Sequence, residues 1–74
     1  MDYILVEFSC GNISSDLKIP AFASVSELIE VFNDLYGKDG TMLHAEPRGI
    51  ILDKHKTLAE QNVGHGAKLT LYLE

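Results

Sequence analysis

Four side chains in this 74-residue sequence are of types that often do chemistry: Cys10, His44, His55 and His65. A cysteine attacks a substrate or carries sulfur as its thiolate, which needs a nearby base or a positive setting. Cys10 stands between Ser9 and Gly11, which supply neither, so it reads as an inert thiol at a hairpin end. A metal site needs three or four converging ligands. The histidines show no His-x-x-x-His or Cys–His spacing; they fall on a strand, a turn and a loop and read as solvated polar residues. Gly37, Gly40, Gly49, Gly64 and Gly66 form no phosphate-cradling loop and instead punctuate turns. The sequence therefore assigns no catalytic residue, no metal ligand and no cofactor.

The elements that position these residues are readable from periodicity. Residues 2–9 alternate, with Ile4, Val6 and Phe8 on one face and Tyr3, Leu5 and Glu7 on the other, which predicts a strand. Gly11-Asn12 is a two-residue hairpin signal, because both residues tolerate positive φ. A second strand follows, with Ile13, Leu17 and Ile19 inward, and Pro20 ends it. Ser24-Val25-Ser26-Glu27 is a capping box that opens the one long helix. Its stripe is Val25, Leu28, Ile29, Phe32, Leu35 and Tyr36, with Glu27, Glu30 and Asp34 off it, and Gly37 is placed to cap its end. After the Lys38-Asp39-Gly40 loop, residues 41–46 read as a third strand, with Leu43 and Ala45 inward and Met42, His44 and Glu46 outward. Pro47-Arg48-Gly49 turns the chain, residues 50–52 form a short fourth strand, and residues 53–56 form a polar turn. Thr57-Leu58-Ala59-Glu60 repeats the capping pattern, predicting one helical turn that tucks Leu58 and Val63 inward. Gly64-His65-Gly66 leads into a last strand with Leu69, Leu71 and Leu73 inward.

Length and composition bound the answer. Residues 1–74 make a single domain with one small core. The 46% hydrophobic content fits a globular chain. The net charge of −5, from eleven acidic and six basic residues, argues against nucleic acid as the main partner. One cysteine and no apolar leader segment predict a reducing, cytoplasmic setting, and no apolar run is long enough to insert directly into a membrane.

The element order is strand, strand, helix, strand, strand, short turn, strand. It resembles ubiquitin over almost the whole chain, on Leu17-x-Ile19, Gly37, Thr57-Leu58, Asn62-Val63 and Leu69-x-Leu71. The fold class this implies is α+β: a ubiquitin-like β-grasp, with a mixed sheet of four to five strands covered on one face by one α-helix. Conjugated relatives end in a flexible Gly-Gly tail, whereas here the last strand and the sequence end together at Glu74. The expectation is a module that binds without being conjugated; the alternative is a modifier or sulfur carrier if the native chain extends to Gly-Gly. Iron–sulfur members of the fold class need four cysteines, and this chain has one.

The segment Asp16-Leu17-Lys18-Ile19-Pro20-Ala21-Phe22, followed by Ser24-Val25-Ser26-Glu27-Leu28-Ile29, is similar to the YukD/EsaB family of small bacterial ubiquitin-like proteins encoded with type VII secretion systems. The Gly-Ala-Lys-Leu-Thr-Leu ending resembles theirs as well. The resemblance implies a non-catalytic accessory or regulatory component. Its partner would be a protein of the secretion machinery, the membrane-anchored ATPase or another membrane subunit. It would act in the cytoplasm, peripheral to the inner face of the membrane through that partner.

In the strand order that this resemblance implies, strands one, five and three are neighbours. Their outward residues Tyr3, Leu5, Met42, His44, Thr70 and Tyr72 are then expected to cluster as a partner-binding face, a composition favoured at recognition surfaces. Ubiquitin uses the same face, but the positions corresponding to its apolar centre hold Glu46 and Thr70, so binding of ubiquitin receptors is not implied. The short fourth strand, at a sheet edge, offers a route to a weak homodimer.

Overall fold

The computed structural model describes residues 3–46 and 49–72. In chain order the elements are β1 (Tyr3–Cys10), β2 (Ile13–Pro20), α1 (Val25–Tyr36), β3 (Met42–Glu46), β4 (Ile50–Ile51), a single 3-10 turn (Ala59–Gln61) and β5 (Ala67–Tyr72). The five strands form one mixed sheet in the order β2-β1-β5-β3-β4. β1 and β5 run parallel, and the other neighbours are antiparallel.

Local chemistry sets most boundaries. Cys10 pairs with Ile13 across the Gly11-Asn12 turn, where Gly11 takes the positive φ (57°) and Asn12 does not. Pro20 occupies the last position of β2, an edge strand, where a missing N–H is tolerated. The Ser24 hydroxyl accepts the Glu27 N–H at 3.3 Å and donates to the Glu27 carboxylate at 2.9 Å. Gly37 closes α1 in the left-handed conformation, its N–H donating to the Asn33 carbonyl. The second capping box is reciprocal: the Glu60 N–H donates to Thr57 Oγ1 at 3.1 Å, and the Thr57 N–H donates to Glu60 Oε1 at 2.9 Å. That turn buries Leu58 and Val63. Pro47, Arg48 and Leu73, assigned above to a turn and a strand, lie outside the described residues.

α1 covers one face of the sheet, and the core lies between them. Ile4, Val6, Phe8, Leu43, Ala45, Leu69 and Leu71 meet Val25, Leu28, Ile29 and Phe32 there. Phe8 is fully buried; its ring lies 4.4 Å from that of Phe32 and stacks at 5.0 Å on Tyr36. Cys10 belongs to this core and is buried.

Leu35, placed above on the buried stripe, is 63% exposed. At about 100° per residue, Leu35 sits about 70° from the centre of the arc that Val25, Leu28, Ile29, Phe32 and Tyr36 span. That rotation turns it off the core, toward the flank that also carries exposed Val31. Tyr36 ends half-buried against Phe8.

The loop after α1 is tied down from both sides. The Asn33 side chain accepts the Gly40 N–H at 2.8 Å and donates to the Gly40 carbonyl at 3.0 Å. A Cβ at Gly40 would fall inside van der Waals contact of Leu71 Cγ and both Cδ atoms. The loop therefore closes directly onto β5, and only glycine leaves room for Leu71. Gly40→Ala is expected to cost about 1–3 kcal/mol by overpacking. Combined with Leu71→Ala, it should cost less than the sum of the two single changes, because the clash is then gone. Urea denaturation of the two single variants and the double variant measures this, and strict additivity contradicts the account.

Candidate interaction surface

The strand alternation that buries Ile4, Val6, Phe8, Leu69 and Leu71 turns the intervening side chains to the uncovered face. Register decides which of them meet. β3 and β5 pair Met42 with Tyr72, His44 with Thr70 and Glu46 with Lys68. β1 and β5 pair Glu7 with Lys68 and Ser9 with Thr70. β4 places Ile51 beside His44.

The open face thus carries two apolar groups. One is Met42, His44, Thr70, Tyr72 and Ile51, spanning β5, β3 and β4. His44 stands edge-on to the Tyr72 ring with centroids 5.7 Å apart. The His44 imidazole also lies 3.5 Å from the Glu46 carboxylate. The Ser9 and Thr70 hydroxyls bond at 3.2 Å along the same row. The other group is Tyr3 and Leu5, beside β2. There the Lys18 ammonium sits 5.2 Å from the centre of the Tyr3 ring, and Pro20 pairs with Tyr3.

The six residues expected to cluster therefore share a face without forming one patch. Because β1 and β5 are parallel, the early residues of β1 lie beside the start of β5, while Tyr72 stands at its end. Leu5 aligns with Gly66, whose N–H donates to the Leu5 carbonyl at 2.9 Å. Six further residues along β5 put Tyr72 about 20 Å away at the usual strand rise. Between the groups runs a charged row, Asp16, Glu7, Lys68 and Glu46, in direct register across four strands.

Two residues of this surface were not read from sequence as part of it. Ile51 is 64% exposed beside His44; its signal was an apolar pair on a strand too short to show alternation. His65, read above as solvated, accepts the Leu5 N–H on Nδ1 at 3.1 Å and so continues the β1–β5 ladder past the first residue of β5. No local pattern marks a side chain that replaces a strand carbonyl. Among the described residues, no group of three His, Cys, Asp or Glu side chains converges as a metal site would require. A concavity of about 400 Å³ runs from Ala45 and Glu46 to the segment 62–67, with Glu46 and His65 as its titratable groups. Among the described residues, no helix is long and apolar enough to cross a membrane.

Neither a protein-family model nor a curated protein sequence matches the chain. Solved structures do. The ubiquitin-like domain of an Arabidopsis thaliana protein superposes with a TM-score of 0.83 at 17% identity, over 99% of this chain and 79% of that one. The ubiquitin of Caldiarchaeum subterraneum gives 0.77 at 16% identity, over 97% and 94%. ATBAG1, solved in complex with HSP70, gives 0.79 at 20% identity, over 96% of this chain and 40% of that one. The chain has the ubiquitin-like β-grasp fold: a five-stranded mixed sheet with one helix across one face.

Side chains that lean on the open face should be removable without unfolding the protein. Leu5→Asp and Tyr72→Asp are each expected to lower the unfolding free energy by no more than about 1 kcal/mol, chiefly through strand propensity. Leu69→Ala, beneath the same strand, should cost about 2–5 kcal/mol. Denaturant midpoints of the three variants check this. A Tyr72→Asp loss as large as that of Leu69→Ala would make the face structural.

Proposed function

We propose that this chain is a non-catalytic, protein-binding module that serves as an accessory or regulatory component of a bacterial type VII secretion system. The observation that carries the binding reading is the outward group on β5, β3 and β4. Tyr72 is 46% exposed yet held edge-on by His44, with Met42, Thr70 and Ile51 around it. An aromatic fixed before binding loses little freedom on contact, which is how anchor residues concentrate affinity. Tyr3 and Leu5 form the outlying part of the surface, across the charged row. A neighbour of this fold, ATBAG1, was solved in complex with HSP70.

The secretion reading rests on the 16–22 segment and its resemblance to the YukD/EsaB family. Leu17 and Ile19 of that segment face the helix side, whereas Phe22 stands exposed just before α1. The partner in this reading is the membrane-anchored ATPase or another membrane subunit of the machine. The protein itself stays in the cytoplasm, touching the membrane only through that partner.

Co-purification of the tagged protein from its own cells, with membranes solubilised, tests both parts. The expected result is a secretion-machinery subunit, lost with Tyr72→Asp and weakened less by Leu5→Asp. A folded Tyr72→Asp protein that still recovers the subunit contradicts the surface. Recovery of an activating enzyme, together with an intact mass requiring residues beyond Glu74, would instead favour a conjugated modifier or sulfur carrier.

A further inference from the structure

β2 is an edge strand: among the described residues it pairs with β1 alone. Counting from the Cys10–Ile13 pair at the turn, its ladder bonds to β1 fall on Ile13, Ser15, Leu17 and Ile19. The N–H and C=O groups of Ser14, Asp16 and Lys18 therefore point away from the sheet. Pro20 lacks an N–H and closes that row. Charges and a proline on an edge usually protect it from other strands. Here their order does more, because it selects one register in which the strand matches itself.

We propose that a second copy of this chain docks antiparallel on the β2 edge, about a two-fold axis at Leu17. In that register Asp16 of each copy is a hydrogen-bonded partner of Lys18 of the other, so both N–H···O=C exchanges are made and both facing pairs carry opposite charge. The neighbouring registers that keep the same groups outward set Asp16 against Asp16, or Lys18 against Lys18, and are repelled. The pairing is isologous, as closed dimers require.

The helix side of the same edge agrees. Leu17 is half-buried there, and the groove between β2 and α1, about 330 Å³, is lined by Leu17, Ala23, Leu28, Val31 and Leu35. Val31 and Leu35 are exposed in the single copy. Leu17 from the two copies would meet at the axis on this side, as a close non-hydrogen-bonded pair, and cover the mouth of the groove. The ladder is short, because Ser14 faces Pro20 of the second copy and finds no N–H for its carbonyl. The dimer is accordingly weak and concentration-dependent. It uses the sheet edge opposite β4, so the Tyr72 surface stays open in it, and the two readings fail independently.

Sedimentation over a wide concentration range tests the register by charge reversal. The wild-type chain is expected to dimerise. Asp16→Lys and Lys18→Asp should each weaken the dimer on the order of tenfold or more, since each places like charges at both facing pairs. An equimolar mixture of the two variants should associate again, and so should the double variant, because both restore opposite pairs. Circular dichroism confirms that each variant is folded before its mass is read. A wild-type chain that remains monomeric overturns the proposal. So does a dimer indifferent to the reversals, as pairing through β4 would be, and so does a mixture that fails to associate.

Discussion

The pairing of β1 with β5 is the constraint on which the rest of the structure depends. It joins Val6 to Ala67 and Ser9 to Thr70, across most of the chain, and it is parallel, so no hairpin can bring the strands together. Its loop-closure entropy must be offset by contacts made elsewhere. Phe8 supplies the centre of those contacts: it sits on β1 beside Leu69 of β5, under Phe32 and Tyr36 of α1. Helix and central strands therefore hold each other in place. The Asn33–Gly40 clamp and the space reserved for Leu71 then lock the loop that leads from α1 to β3 against β5.

That same pairing decides what the open face looks like. Alternation along each strand determines which side a residue takes. Strand direction and register determine whom it meets. Tyr72, His44, Met42 and Ile51 meet because β3 lies antiparallel between β5 and β4. Tyr3 and Leu5 are kept from them because β1 and β5 run the same way. The row Asp16, Glu7, Lys68 and Glu46 falls between the two groups and gives the sheet a polar waist. A face that is uniform by composition is in fact divided.

Local signals carried the elements well. Two capping boxes, the Gly11 turn, the left-handed Gly37 cap and the alternation of β1 are each decided by a few neighbouring residues, and each formed as its chemistry requires. Most of the differences involve partners distant in sequence. Leu35 follows the helical repeat but lies at the rim of the buried arc, a matter of where the sheet ends. His65 accepts a strand N–H sixty residues away. Gly40 is a loop glycine by pattern, yet Leu71 is what requires it. The division of the candidate surface belongs to the same class. It follows from the parallel direction of β1 and β5, and alternation within a strand carries no information on its direction. Ile51 could not be read in this way, because its strand is too short for a period.

The central functional claim is that binding concentrates on the β5–β3–β4 half of the open face. Amide chemical-shift mapping of isotope-labelled protein, titrated with the subunit it co-purifies with, addresses it most directly. The account predicts shifts and broadening centred on Met42, His44, Ile51, Thr70 and Tyr72, fading across the Glu7–Lys68–Glu46 row. Perturbation centred on Tyr3, Leu5 and Lys18, or on the exposed side of α1, with the Tyr72 half unchanged, would contradict it.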